Sequence, residues 1–176
     1  MNEMGKIKKK NEMSGMTGEN ERAAGGATGM KILVLSGPNL NMLGVREPEI
    51  YGHVTYRALC GMLEEHAVAI GVTLSLFQSN HEGALIDRIQ AAYADGTEGI
   101  VLNAGGYTHT SVALRDAIAA VGIPTVEVHI SRVEEREAFR QVDYLRDVCV
   151  GYISGHGVAG YAEAMDFLAC RGWEQA

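Results

Sequence analysis

Three stretches of this 176-residue chain set side chains that could move a proton or hold an anion among residues that open a backbone to a ligand. The first, GPNLNMLGVREPEIYG from Gly37 to Gly52, carries Asn39, Arg46 and Tyr51. A segment this long inside a compact domain is usually functional or disordered. Its two prolines and three glycines suit a hinged lid over a cleft. By residue type alone, Arg46 and Tyr51 are either a working pair or a solvated arginine and a surface tyrosine. The second stretch, NAGGYTHTS from Asn103 to Ser111, has adjacent glycines for close backbone approach. Its hydroxyls, Thr108, Thr110 and Ser111, are candidate caps for a following helix. The free N–H groups of such a helix start favour a carboxylate or phosphate, although a plain capped turn has the same look. The third, EVHIS from Glu127 to Ser131, ends a strand. Strand periodicity puts Glu127 and His129 on one face, where two polar groups are costly unless paired or at the open end of a sheet. A carboxylate beside an imidazole fixes its tautomer and favours its protonated form; a purely structural pair is the alternative.

Other chemistries find less support. The six histidines show neither HExxH nor a paired spacing with cysteine, so no metal site is advertised. Cys60, Cys149 and Cys170 form no CxxC and leave one thiol unpaired by parity, which suits a reducing compartment and buried, unreactive side chains. Gly155-His156-Gly157-Val158-Ala159-Gly160 fits GxGxxG, but only 16 residues follow it, too few for the next strand and its acidic ribose ligand. Its glycines read instead as a tight strand-to-helix turn.

The elements that must position the three stretches alternate along the chain. Strands are expected at Lys31–Ser36, Val72–Gln78, Gly99–Leu102, Thr125–Ile130 and Val148–Ser154. Helices are expected at Thr55–Ile70, Gly83–Ala94, Thr110–Val121 and Ala159–Ala169, with a short one within Val133–Gln141. Repeated β-α-β with continuously apolar strands implies a parallel sheet covered on both faces. Five such strands fit an α/β, flavodoxin-like three-layer sandwich of order 2-1-3-4-5. Ligands in such sheets bind beyond the carboxyl ends of the strands, near the switch between the first and third. The three stretches follow the first, third and fourth strands, so all should converge there.

Charge and composition narrow the setting. Residues 1–29 hold five Lys/Arg and four Asp/Glu, leaving ten against eighteen, or −8, for residues 30–176. An acidic body argues against nucleic-acid binding, while a few placed arginines still set the field inside a cleft. No apolar run approaches the roughly 18 residues of a membrane span. Residues 1–29 have a lysine cluster but no apolar core after it, so they read as a disordered extension, not a signal, with one domain over residues 30–176. The expected location is cytoplasmic.

Four strings, SGPNLNMLGVREPEIYG, FQSNHEGALID, LNAGGYTHTSVALRDA and PTVEVHISRVEEREAFR, closely resemble the type II 3-dehydroquinate dehydratases, in order, from Met30 to about Leu168. The resemblance implies a cofactor-free hydro-lyase acting on 3-dehydroquinate, assembled as a homododecamer, a tetramer of trimers. By position it implies that Tyr51 is the base, Arg46 the lid arginine that lowers the tyrosine's pKa, and Asn39 the holder of a water that stabilises an enolate. His129 matches the general acid and Glu127 its partner. Asn103, His109, Ile130, Ser131 and Arg140 match the substrate-binding set, and Asp116 a residue that reaches a neighbouring subunit's site. Ser36, His156 and the 29-residue extension depart from the family pattern.

The implied chemistry fits these residue types. Dehydrating a β-hydroxyketone needs a base, an enolate stabiliser and an acid for the departing hydroxyl. A tyrosine of ordinary pKa, about 10, is almost fully protonated at neutral pH, and a guanidinium within about 4–6 Å corrects this by one to three units. The rival route, an imine, needs a lysine. Lysines occur only at 6, 8, 9, 10 and 31, the last at the end of the first strand away from the cleft. The alternative reading is a flavodoxin-like module that binds phosphate or flavin without catalysis. Against it, the segment after the first strand lacks a Ser/Thr-rich phosphate loop.

Overall fold

The computed structural model describes residues 22–24, 29–45 and 54–171. Arg46 and Tyr51, and with them the lid expected between them, lie outside the described residues. The strands are β1 (Arg22–Ala24), β2 (Lys31–Ser36), β3 (Thr73–Gln78), β4 (Gly99–Asn103), β5 (Thr125–His129) and β6 (Gly151–Ser154). The helices are α1 (Tyr56–Ile70), α2 (Glu82–Asp95), α3 (Val112–Val121) and α4 (Ala159–Ala169). The strands form one sheet in the order β1-β3-β2-β4-β5-β6. From β2 to β6 every pairing is parallel, and among themselves these five run 2-1-3-4-5, as expected. The addition is β1, antiparallel on the open edge of β3, where unpaired backbone groups invite another strand. Within the stretch expected to be a disordered extension, Arg22–Ala24 is thus a paired strand.

Alternation along β2 explains the layers. Ile32 and Val34 pack with Leu59 and Leu63 of α1 and Met165 and Leu168 of α4. Leu33 and Leu35 pack on the other face with Leu85 and Ile89 of α2 and Leu114 and Ile118 of α3. A side-chain period of two thus feeds two separate cores from one strand. Lys31, at the opposite end of the strand from the three polar stretches, places Nζ 3.1 Å from Asp95 Oδ1.

The local differences from the expected elements lie at loop ends. The run Gly105–His109 winds as a 3-10 turn, so α3 starts two residues later than expected, with Ser111 Oγ accepting from the Leu114 amide at 2.8 Å. Val133–Gln141 holds two 3-10 turns, Val133–Glu135 and Ala138–Gln141, in place of one helix. A further turn at Arg146–Val148 delays β6 to Gly151. Cys60 is buried as expected, but Cys149 is half-buried and Cys170 exposed. The GxGxxG run is a strand-to-helix turn, with Gly155 at φ +81 and no room for a Cβ against Arg132.

Gly37 sets how closely the ends of β2 and β4 approach. Its amide donates to Asn103 O at 2.7 Å, and a Cβ there would lie 2.4 Å from Ala104 O and 2.6 Å from its carbonyl carbon. Backbone cannot swing aside as a side chain does. Gly37→Ala is expected to cost about 1–3 kcal/mol of overpacking strain, read as a lower urea midpoint with an unchanged slope.

Candidate active site

A cavity of about 210 Å³ opens beyond the carboxyl ends of β2, β4 and β5. Asn39, Asn103, His109, His129 and Arg140 line it, as do Ile130 and Ser131. Seven of the expected site residues, drawn from three loops, therefore meet around one space.

The first loop is pinned at its root. Asn39 takes a left-handed backbone, φ 66, a conformation that asparagine tolerates better than most residues. Its amide donates to Asn80 Oδ1 at 2.9 Å. Gln78 Nε2 donates to the same oxygen at 3.2 Å and to Gly37 O at 3.1 Å, and Tyr107 OH donates to Asn80 O at 3.0 Å. Gln78 and Asn80 thus tie the first loop to the second. Residue-type reasoning did not single them out, because an amide at a strand end or in a loop carries no periodic signal.

In the second loop, Asn103 Oδ1 accepts from the Gly105 amide at 3.1 Å, which holds the glycine turn against the cavity. His109 Nδ1 donates to Val142 O at 2.7 Å, so Nε2 is the nitrogen left to meet a ligand. Of the three candidate caps, Ser111 takes the role: it is buried and caps α3. It does not line the cavity, which fits the plain capped turn.

The third element carries the buried acid–base pair. Glu127 Oε1 accepts from His129 Nε2 at 3.0 Å and from Thr108 Oγ1 at 2.9 Å. Glu127 has no exposed surface and His129 has 6%. Glu127 Oε2 has no hydrogen-bond donor among the described residues. The carboxylate accepts through Oε1, which fixes the His129 proton on Nε2 and leaves Nδ1 as the exchanging position. Tyr152 packs on the imidazole, ring centroids 5.5 Å apart, with Arg146 over the Tyr152 ring at 3.9 Å. Glu134 Oε1 accepts the Tyr152 hydroxyl at 2.8 Å; burial first, then this hydrogen bond and the Glu134 charge, outweigh the opposing Ser154 hydroxyl and push that phenol well above its usual range.

Asp143 stands close behind. Carboxylate and imidazole atoms of Glu127, His129 and Asp143 all lie within 4.8 Å of one another. Because Nε2 of His129 is turned into a hydrogen bond with Glu127, the trio is arranged to hold a proton rather than to cage a cation.

Arg140 and Arg136 supply positive charge on the cavity wall. Each reaches Glu137, Arg140 Nε at 2.7 Å and Arg136 Nε at 3.4 Å from Oε2. Arg136 was missed by residue-type reasoning, although its spacing of four from Arg140 in REAFR was a usable sign. Asp116 lies apart from the cavity, exposed on α3 and 3.3 Å from Arg115.

With this geometry in view, comparison with known proteins is decisive. The sequence profile of the family described as Dehydroquinase class II matches residues 30–169. The chain belongs to the class II dehydroquinase family. It is 58% identical over 136 residues to the 3-dehydroquinate dehydratase of Bordetella avium (strain 197N), covering 77% of this chain and 94% of that one. It is 59% identical over 136 residues to that of Ralstonia pickettii (strain 12J), covering 77% and 88%. Among solved structures, the type II dehydroquinase from Butyrivibrio crossotus DSM 2876 superposes with a TM-score of 0.79 at 52% identity, covering 81% of this chain and 99% of that one. The type II dehydroquinase from Propionibacterium acnes gives 0.77 at 36% identity, covering 81% and 99%. A class II dehydroquinase thus carries the buried Glu127–His129 pair at the inner wall of its cavity.

Thr108 is the cheapest point at which to test how much that carboxylate depends on its donors. Thr108→Val keeps the shape and removes one donor to a fully buried charge. The expected loss is about 1–3 kcal/mol, read by urea denaturation at neutral pH.

Proposed function

We propose that this chain converts 3-dehydroquinate to 3-dehydroshikimate by trans-dehydration through an enolate, serving aromatic biosynthesis or quinate breakdown. The observation that carries the reading is the Glu127–His129 pair, buried and facing a cavity that Asn39, Asn103, His109 and Arg140 also line, in a chain of this family. Tyr51 removes a proton from the carbon next to the ketone, and Arg46 favours its phenolate form. Asn39 holds a water against the enolate oxygen, where donors supply the largest catalytic contribution. The enolate then expels the hydroxyl as His129 delivers a proton to it, and Glu127 stabilises the imidazolium before that transfer. Asn103, His109, Ile130, Ser131 and Arg140 bind the substrate, the arginine facing its carboxylate. No step calls for a cofactor.

The proposed catalytic domain spans residues 30–176, in the cytoplasm, and the proposed assembly is a homododecamer built from trimers. Its occupied sites would each receive Asp116 from a neighbour, which is consistent with the exposure of that residue. No helix among the described residues is long and apolar enough to cross a membrane. A binding module for phosphate or flavin is the weaker reading, because at the start of α3 the Leu114 amide is already bonded to the Ser111 hydroxyl.

Adding 3-dehydroquinate to the purified protein should raise the ultraviolet absorbance of a conjugated enone. Tyr51→Phe should abolish turnover with the circular dichroism spectrum unchanged, and His129→Asn should lower kcat by about 10²–10⁴-fold, the usual range for a lost general acid. Borohydride with substrate should leave activity intact; a trapped covalent adduct would remove the enolate route. A protein that binds flavin mononucleotide and leaves dehydroquinate untouched would favour the binding module.

A further inference from the structure

Asp143 is a second carboxylate beside the Glu127–His129 pair and has no part in the mechanism above. It reaches this place from the chain segment that covers the inner wall. That segment is docked by two backbone contacts, Tyr144 N to Thr108 O at 3.0 Å and Val142 O to His109 Nδ1 at 2.7 Å. Asp143 Oδ1 then accepts from the amides of Leu145 and Arg146 at 2.9 and 3.1 Å. The carboxylate is thereby locked in an Asx-type turn and held within 4.8 Å of both Glu127 and His129. It is half-buried, and Glu127 beside it is fully buried, with no donor to Oε2 among the described residues.

We propose that Asp143 is a positioning residue that, together with Glu127, holds His129 in its protonated form and so extends to higher pH the range in which His129 can donate. The inference rests on the dehydratase reading for its kinetic consequence, but the charge trio itself stands on geometry. With a neutral imidazole, two carboxylates would face each other in a partly buried place at a net charge of −2; a protonated imidazole reduces this to −1. The mutual repulsion is visible at Asp143, whose carboxyl is held above its usual range by burial first and the Glu127 charge second, opposed by its two amide bonds and by His129. Other charged and titratable groups also surround His129. Tyr152 covers the ring with its phenol bonded to Glu134, Arg146 lies beyond the Tyr152 ring, and Cys149 stays protonated through burial and the same two carboxylates. His109, Arg136 and Arg140 share the cavity wall.

The test uses two neutral variants of the full chain. Asp143→Asn keeps the acceptor for the two amides, and Asp143→Ser keeps a shorter one, so they should differ in stability. Both should nevertheless shift the alkaline limb of the kcat profile downward by about one pH unit, the lower end of what a close charge produces. Histidine titration, read as hydrogen–deuterium exchange at the imidazole C2 position by mass spectrometry, should show the same downward shift at His129 alone. A fall in kcat with an unmoved limb and unmoved titration would mean that Asp143 only shapes the turn, and would overturn the proposal. So would two variants that behave like the parent. If the parent does not turn over dehydroquinate, the dehydratase reading fails, while the His129 titration still decides whether Asp143 holds its proton.

Discussion

Glu127 Oε1 receives hydrogen bonds from Thr108 and His129 at a point that has no exposed surface. An isolated carboxylate there would cost several kcal/mol in lost hydration, so its surroundings are tightly constrained. The fold meets the constraint by where it places the residue. Glu127 lies near the last residues of β5, on the face covered lower down by α2 and α3. Above the start of α3 that face is covered instead by the Thr108 turn and by residues 142–146, both rich in donors. The contacts between Tyr144 and Thr108 and between Val142 and His109 dock this segment over the carboxylate, while Leu145 fills the apolar core beside it.

The same logic links the cores to the cavity. Alternation along β2 sends Ile32 and Val34 to one layer and Leu33 and Leu35 to the other. A strand apolar on both faces has nowhere to put polar groups except at its ends. The three polar stretches therefore follow β2, β4 and β5 because these are the exits of buried strands, and parallel pairing brings the exits to one side. Gly37 lets the β2 and β4 exits approach to backbone contact, which makes the cavity a compact space instead of a broad groove.

Electrostatics divides the labour between body and site. Residues 30–176 carry ten basic against eighteen acidic side chains, yet the cavity wall includes Arg136 and Arg140 and buries the Glu127 carboxylate behind His129. A negative surface with positive groups inside a cleft focuses an anion inward and leaves polyanions outside. Glu137 bridges both arginines and limits how far their charge spreads. Its place between them also orients the two guanidinium groups before a ligand arrives, which reduces the ordering cost of binding.

Much of this was legible in the sequence. Continuous apolar runs separated by helical spacing determined the parallel sheet and its order, since only a sheet buried on both faces needs such runs. The Glu127–His129 pairing was legible because a period of two is rigid over three residues. Other features needed the tertiary structure. The 3-10 turns at Gly105–His109 and Arg146–Val148 were not visible because neither has a side-chain cap to mark its start. Strand β1 pairs with a segment about fifty residues away and has no periodicity of its own. Asn80, Arg136 and Asp143 each look like ordinary loop residues until folding sets them against Asn39, Arg140 and Glu127. Local patterns record which face a residue takes, because that is set by backbone geometry. Which loops meet is set by packing, and only the assembled sheet decided it.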